Sequence, residues 1–297
     1  MNYKKEKGLN DLERQKRVLA VHDISGVGKC SLTVALPIIS AAGAECSVLP
    51  TAVLSTHTGG FTGFTFKDLT DDIMPIVRHW KSLHLKFDAI YTGYLGSFEQ
   101  IDLMKTLFSD LKSPGTVIAV DPVMGDNGRL YANFDMSYPP AMRELCAAAD
   151  LIMPNFTEAT LMLGEPYHPA PYTKDYVDGL LSRLADAVPS AKSIVLTGVA
   201  FDELQLGAAA YDVASRKADY ILGENVPGSY HGTGDVFGSA LVGALAAGKT
   251  VSEAVRIAVD FTSVSIEWTA KAGTDIRYGV NFETNLGKYI AAIGNAD

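Results

Sequence analysis

Short apolar, β-rich runs alternate with longer stretches of helical spacing along almost the whole chain, and that alternation limits the fold more than any other feature. "RVLAVH" reads as a strand, followed by a helix over about 30–42, and "CSVLPTAVL" is the next extended run. "TDDIMPIVRHWKSL" has helical spacing despite its proline, "FDAIYTGYL" is a strand, and "GSFEQIDLMKTLFSDL" is a helix with a serine near its start. Strand "TVIAVDPV", helix "AMRELCAAA", strand "DLIMPN", helix "FTEATLML" and strand "SIVLTGV" follow, and "LQLGAAAYD" with "ADYILGENV" suggests a hairpin. Helices are expected over about 234–248, 250–271 and 282–292. Strands that alternate with helices predict a three-layer αβα domain, with a central, mostly parallel sheet and helices on both faces. Ligands in such sheets bind beyond the carboxyl ends of the strands. No linker, repeat or low-complexity tract divides the chain, so residues 17–297 read as one domain behind an N-terminal extension, 1–16.

The chain has 297 residues and a net charge of −9, with no basic block after the first 17 residues. That balance argues against nucleic acid or an anionic membrane as partner. An anionic ligand would need backbone donors or a metal. Three scattered cysteines, Cys30, Cys46 and Cys146, show no metal-binding spacing. Together with a charged N-terminus that lacks an apolar core segment, they point to a cytoplasmic protein. No apolar run approaches the roughly 18 residues of a membrane span.

"HDISGVGKCS", right after the first strand, looks like a phosphate-binding loop. A P-loop needs glycine five positions before Gly28 and a hydroxyl after Lys29, but the chain has Asp23 and Cys30 there. The stretch is therefore read as a glycine-rich turn from strand to helix, with Asp23 at a strand's carboxyl end binding something other than phosphate.

"HGTGDVFGSALVGALAAG" is the better anion site. Gly232, Thr233 and Gly234 open a helix, so their amides can converge where the helix end is partly positive. Asp235 beside them either caps the helix or accepts the proton of an alcohol attacking a phosphoryl group. Gly238 and Gly243 read as packing positions. In "VDPVMGDNG", Asp121 and Asp126 either order water around Mg²⁺ or form an Asp-Pro turn. In "MPNFTEATLMLG", Asn155 and Glu158 share a face at a helix start, which also fits a capping box. All three motifs follow strands and so should meet in one crevice.

"GTGD" opening a late helix, "DPVMGD", "PNxxE", "TGYLGS" and "STHTG" resemble the ribokinase-like superfamily, and within it the pyridoxal/pyridoxine/pyridoxamine kinases, from about residue 17 to 290. The resemblance implies an ATP-dependent kinase acting on the 5′-hydroxymethyl group of a B6 vitamer. Asp235 would be the base, and Gly232, Thr233 and Gly234 the anion hole. Asp121 and Asp126 would lie near the ATP phosphates and their metal. Asn155 and Glu158 would organise Mg²⁺ through water, and Thr197 would contact the nucleotide. His57 and Thr58 would line the substrate pocket, and Tyr94 would flank the ring or the phosphate path. A monovalent cation (K⁺ or Na⁺) and a homodimer come with the family. Asp23 stands where well-studied B6 kinases carry serine, and "DISG" is closer to the "DPSG" of hydroxymethylpyrimidine kinases. Those kinases usually read "GTGC", whereas this chain has Asp235. A carboxylate at 23 can hold a protonated pyridine nitrogen through a charge-assisted bond, and an aminopyrimidine could use it as well. The rival readings are a hydroxymethylpyrimidine (phosphate) kinase of thiamine synthesis and a non-catalytic B6-binding protein.

Of the remaining groups, His79 and His84 read as surface or packing residues, and His22 as a satisfied edge residue. His231 reads as a turn residue or a ligand contact. Cys30 reads as small-residue packing. Lys271, Gly273 and Thr274 would shape the adenine side by analogy with the family. The glycine- and phenylalanine-rich segment 59–67 reads as a flap that excludes water.

Overall fold

The computed structural model describes residues 14–294. Most of the 1–16 extension therefore lies outside the described residues. In chain order the elements are β1 (Arg17–Ser25), α1 (Leu32–Ala41), β2 (Glu45–Leu54), β3 (Phe66–Asp68), α2 (Thr70–Ser82), β4 (Ala89–Thr92) and α3 (Phe98–Leu111). Next come β5 (Val117–Val120), the small hairpin β6 (Gly125–Asp126) and β7 (Arg129–Leu130), α4 (Tyr138–Cys146), β8 (Leu151–Ile152), α5 (Phe156–Leu163) and α6 (Lys174–Ala187). The chain closes with β9 (Ser193–Val199), β10 (Gln205–Asp212), β11 (Lys217–Glu224), α7 (Thr233–Ala246), α8 (Val251–Ala272) and α9 (Leu286–Gly294).

Nine strands form one sheet in the order β11-β10-β9-β8-β5-β4-β1-β2-β3. The six from β2 to β9 pair in parallel, while β10 pairs antiparallel with both β9 and β11, and β3 pairs antiparallel with β2, which leaves β11 and β3 at the edges. Alternation along β1 builds both faces. Leu19 and Val21 join a core under α2 to α6, while Val18 and Ala20 join one under α1, α7, α8 and α9. Small residues let α7 pack tightly. A Cβ at Gly238 would sit 2.4 Å from the Tyr91 hydroxyl, and one at Gly243 would sit 2.4 Å from that of Tyr289. No helix among the described residues is long and apolar enough to cross a membrane.

The fold matches the alternation read from the sequence and adds α6, β3 and the β6–β7 hairpin. α6 carries Val177, Leu180, Leu181, Leu184 and Ala185 on one buried face, with Thr173 capping its start. His22 needs correcting. It lies on a central strand, is fully buried, and neither ring nitrogen has a hydrogen-bond partner among the described residues. Its ring packs edge-on to Tyr91 over Gly93, and burial pushes its pKa down to about 3. His79 and His84 are exposed, as expected.

Candidate active site

β1 leads to β2 on one side, while β4 pairs with β1 on the other, so the strand order reverses between β1 and β4. In open α/β sheets the crevice at such a switch is where ligands sit. Asp23 lies at a register shift near the carboxyl end of β1, Tyr94 follows β4, Asp121 follows β5, Asn155 follows β8 and Thr197 lies in β9. One topological rule thus collects residues spread over 175 positions of sequence, counting from 23 to 197.

Asp23 is 7% exposed and accepts hydrogen bonds from two serine hydroxyls, Ser31 to Oδ1 at 2.7 Å and Ser25 to Oδ2 at 3.0 Å. Burial raises its pKa against the pull of those two bonds. Asp235 is half-buried in the first turn of α7. Burial pushes its pKa up to about 7. The Ser31 amide, which faces it outside full hydrogen-bond geometry, opposes that rise, and the charge of Asp23 adds to it. Cys30, half-buried, feels both carboxylates, and burial first of all keeps its thiol protonated.

The start of α7 is the turn expected from the sequence to bind an anion. Gly232 occupies the N-cap position at φ 76°, and a Cβ there would lie 2.0 Å from the Lys29 carbonyl oxygen. Only glycine fits that turn. No side chain caps the helix, so Asp235 is not a capping residue and its carboxylate remains available. The first amides of a helix have no acceptor within it and face outward.

Asp121 is 8% exposed, and burial, then Glu158, then Asp235 hold its pKa well above the usual carboxylate range. Glu158 and Asn155 form a full capping box on α5. Glu158 accepts from the amides of Asn155 and Met124, while the Asn155 amide group donates to the Gly125 carbonyl. Burial pushes Glu158 up to about 8, against those amide bonds. Asp126 is exposed on the hairpin and accepts from the backbone and side chain of Asn127. The Thr197 hydroxyl faces the Pro154 carbonyl at 3.5 Å. Among the described residues no three His, Cys, Asp or Glu side chains cluster tightly enough to cage a metal alone.

The loop between β2 and β3 closes one wall, tied at its neck by Ser55 and Thr65. Nδ1 of His57 accepts from the Gly59 amide, so Nε2 carries the proton toward the Arg277 carbonyl, 2.6 Å away. Phe61 packs edge-on against Tyr278, and Arg277 lies over its ring. His231 stands 5.3 Å from His57, against Gly59. Thr58 is exposed. The Tyr94 hydroxyl accepts from Asn133 at 2.6 Å, and burial raises its pKa, with Asp23 contributing. Gly273 caps α8 in a left-handed turn, Lys271 pairs with Glu267, and Thr274 accepts from Asn281.

Asp23, Asp121, Glu158 and Asp235 take part in no salt bridge among the described residues. The nearby cations are committed elsewhere, Lys29 to Asn281 and Glu283, and Arg277 to Asp275. Unpaired buried carboxylates are costly, so this hollow suits ligands that bring positive charge. An open cavity of about 410 Å³ lies at the opposite end of the sheet. There Asp150 already binds Lys112, Lys192 and the Ile118 amide, so that end serves the fold.

This parallel core, with its acidic crevice facing a helix opened by Gly-Thr-Gly, defines the ribokinase-like kinases. The Phosphomethylpyrimidine kinase family model matches residues 38–280, and the chain belongs to that family. A Bacteroides thetaiotaomicron protein, provisionally assigned as a phosphomethylpyrimidine kinase, is 40% identical over 93% of this chain and 94% of its own, with a TM-score of 0.88. Its orthorhombic crystal form was solved with pyridoxal. Pyridoxal kinase from Lactobacillus plantarum is 33% identical over 93% of this chain and 97% of its own, with a TM-score of 0.85. Ovine pyridoxal kinase is 27% identical over 78% of each chain.

Proposed function

We propose that the chain is an ATP-dependent kinase that phosphorylates the 5′-hydroxymethyl group of pyridoxal, pyridoxine or pyridoxamine. The observation that carries this reading is the carboxylate of Asp235, uncapped and without a basic partner, beside the Gly232–Gly234 turn and facing Asp23. The alcohol oxygen bonds to the γ-phosphorus as the bond to the ADP oxygen breaks, and the alcohol proton passes to Asp235. Amides of residues 232–234 hold the transferring oxygens. Asp23, steadied by Ser25 and Ser31, binds the ring nitrogen or its proton, and Tyr94 flanks the ring. His57 and Thr58 belong to the wall that shuts out water.

Mg²⁺ suits the acidic side of the crevice, because Asp121 and Glu158 are buried without cations and a water-retaining ion needs few direct protein ligands. There it would neutralise phosphate charge. Asp121 would hold it, and Asn155, Glu158 and Asp126 would act through water, since their own hydrogen bonds are largely spent. Thr197 would meet the nucleotide. A monovalent cation and a homodimer belong to the same reading. The cysteines are free, in keeping with a reducing, cytoplasmic setting.

A hydroxymethylpyrimidine kinase is the second reading, favoured by Asp23 and by the family's own description. The names of the relatives and Asp235 support the B6 vitamers. Assaying pyridoxal, pyridoxine, pyridoxamine and hydroxymethylpyrimidine with Mg·ATP separates the two. A kcat/KM tenfold or more in favour of the pyrimidine reverses the order.

A further inference from the structure

Ser31 is the N-cap of α1, yet it does not behave as one. Serine at that position normally has extended backbone and turns its hydroxyl onto the first amides of the helix. Here φ is 55° and ψ is −134°, a conformation that favours glycine, and no side-chain cap bond forms. The hydroxyl is diverted to Asp23 at 2.7 Å, and the turn that leads into Ser31 packs against the start of α7, where a Cβ on Gly232 would lie 2.0 Å from the Lys29 carbonyl oxygen and 3.7 Å from the Cα of Cys30, which brings the Ser31 amide to the side of Asp235. The Ser31 carbonyl still accepts from the amides of Val34 and Ala35, and a bridge to Ile24 pins the residue to β1. The chain thus gives up a helix cap and holds a strained backbone at one residue, and both departures point it at the crevice. Strain of this kind persists where surrounding structure enforces it, and it gathers at functional sites.

We propose that Ser31 is a positioning residue for phosphoryl transfer, setting the ring-binding carboxylate of Asp23 with its hydroxyl and the proton-accepting carboxylate of Asp235 with its amide. The proposal rests on the kinase reading above. It makes the turn after β1 a coupler of acceptor binding to base alignment, a role separate from ATP binding.

Ser31→Ala keeps the strained backbone and the amide but removes the hydroxyl. Ser31→Gly also removes the hydroxyl, and it frees the backbone. Steady-state kinetics of the full chain with Mg·ATP and pyridoxal, together with thermal unfolding, test the idea. Loss of a hydrogen bond to a charged group should raise the pyridoxal KM roughly tenfold or more in both variants. In Ser31→Ala, kcat should stay within about threefold of wild type, since the amide is still held. In Ser31→Gly, kcat should fall by about tenfold as well, although the variant unfolds no earlier than Ser31→Ala because glycine relieves the strain. The ATP KM should stay within about twofold in both. A pyridoxal KM within twofold of wild type in either variant overturns the hydroxyl's role, and an undiminished kcat in Ser31→Gly overturns the amide's. An ATP KM that rises in step with the pyridoxal KM makes Ser31 a general structural residue. Wild-type protein inactive on pyridoxal defeats the kinase reading itself, whereas active wild type with unchanged variants defeats only the role of Ser31.

Discussion

Nε2 of His57 lies 2.6 Å from the carbonyl oxygen of Arg277, so two segments 220 residues apart are latched together at the rim of the crevice. Phe61 reinforces the latch through Tyr278 and Arg277. Segment 59–67, held this way, is expected to act as a lid that keeps water from the transferring phosphoryl group. Phe61→Ala removes contacts typically worth about 0.5–1.5 kcal/mol, enough for a roughly 2–10-fold shift toward the open lid. ADP release without acceptor, divided by release with pyridoxal, should rise by that factor. An unchanged ratio would show that the 59–67 segment does not gate water.

Asp235→Ala should lower kcat by roughly 10²–10⁴-fold, the usual worth of a positioned base. Calorimetry should find the ATP Kd within about threefold of wild type, because the amides of 232–234 remain. Near-normal turnover would remove Asp235 from the base role.

The raised carboxyl pKa values set a pH dependence whose sign is fixed. Asp235 is pushed up to about 7 and Glu158 to about 8, with Asp23 and Asp121 raised as well, all chiefly by burial. Between the ordinary carboxylate value near 4 and those folded values, the native state binds more protons than the unfolded chain. The contribution of these groups to stability is therefore fully present at low pH and is lost as pH rises through about 7 to 8. Turnover moves the opposite way, since the base must be ionised, and should fall below about pH 7. Unfolding scans from pH 5.5 to 8.5 should give Asp235→Asn a smaller decline in Tm than wild type over the lower half of that range, below about pH 7, where native Asp235 still holds a proton that the unfolded chain has lost. MgCl₂ should raise Tm more at pH 8 than at pH 6, because it competes with protons for the same carboxylates. Equal slopes in wild type and variant would contradict the assigned burial of Asp235.

Gly232→Ala forces a Cβ to 2.0 Å from the Lys29 carbonyl oxygen at φ 76°. The turn must shift or strain, which costs upward of about 1 kcal/mol and lowers Tm by roughly 2–4 °C or more. Because the displaced amides belong to the anion turn, kcat should fall by at least about tenfold. A variant with wild-type Tm and kcat would show that the turn tolerates a side chain.

Local patterning made much of this molecule legible. The α5 boundaries, the Ser97 start of α3 and the β10–β11 hairpin follow from cap residues and periodicity that act over a few positions. The crevice was legible too, because motifs that follow strands in a parallel sheet share one rim. What stayed hidden depends on contacts across the chain. Ser31 falls inside the stretch read from sequence as a helix over about 30–42, and only the carboxylates it serves explain its backbone. His22 follows an apolar run and reads as an edge residue, yet Tyr91 and Gly93 enclose it on a central strand. Asn155 and Glu158 could be read as cap or metal site, and the structure gives them a complete capping box while leaving Glu158 buried beside Asp121. α6 had a visible apolar face, but it follows the loop after α5 directly, which breaks the strand–helix rhythm.

The most direct test of the central claim is phosphorus NMR of purified protein incubated with Mg·ATP and pyridoxal, run beside Asp235→Ala. The account predicts stoichiometric conversion to ADP and a pyridoxal 5′-phosphate resonance with wild type, and neither with the variant on the same timescale. ADP and inorganic phosphate without any phosphate ester, or equal ester formation by both proteins, would contradict it.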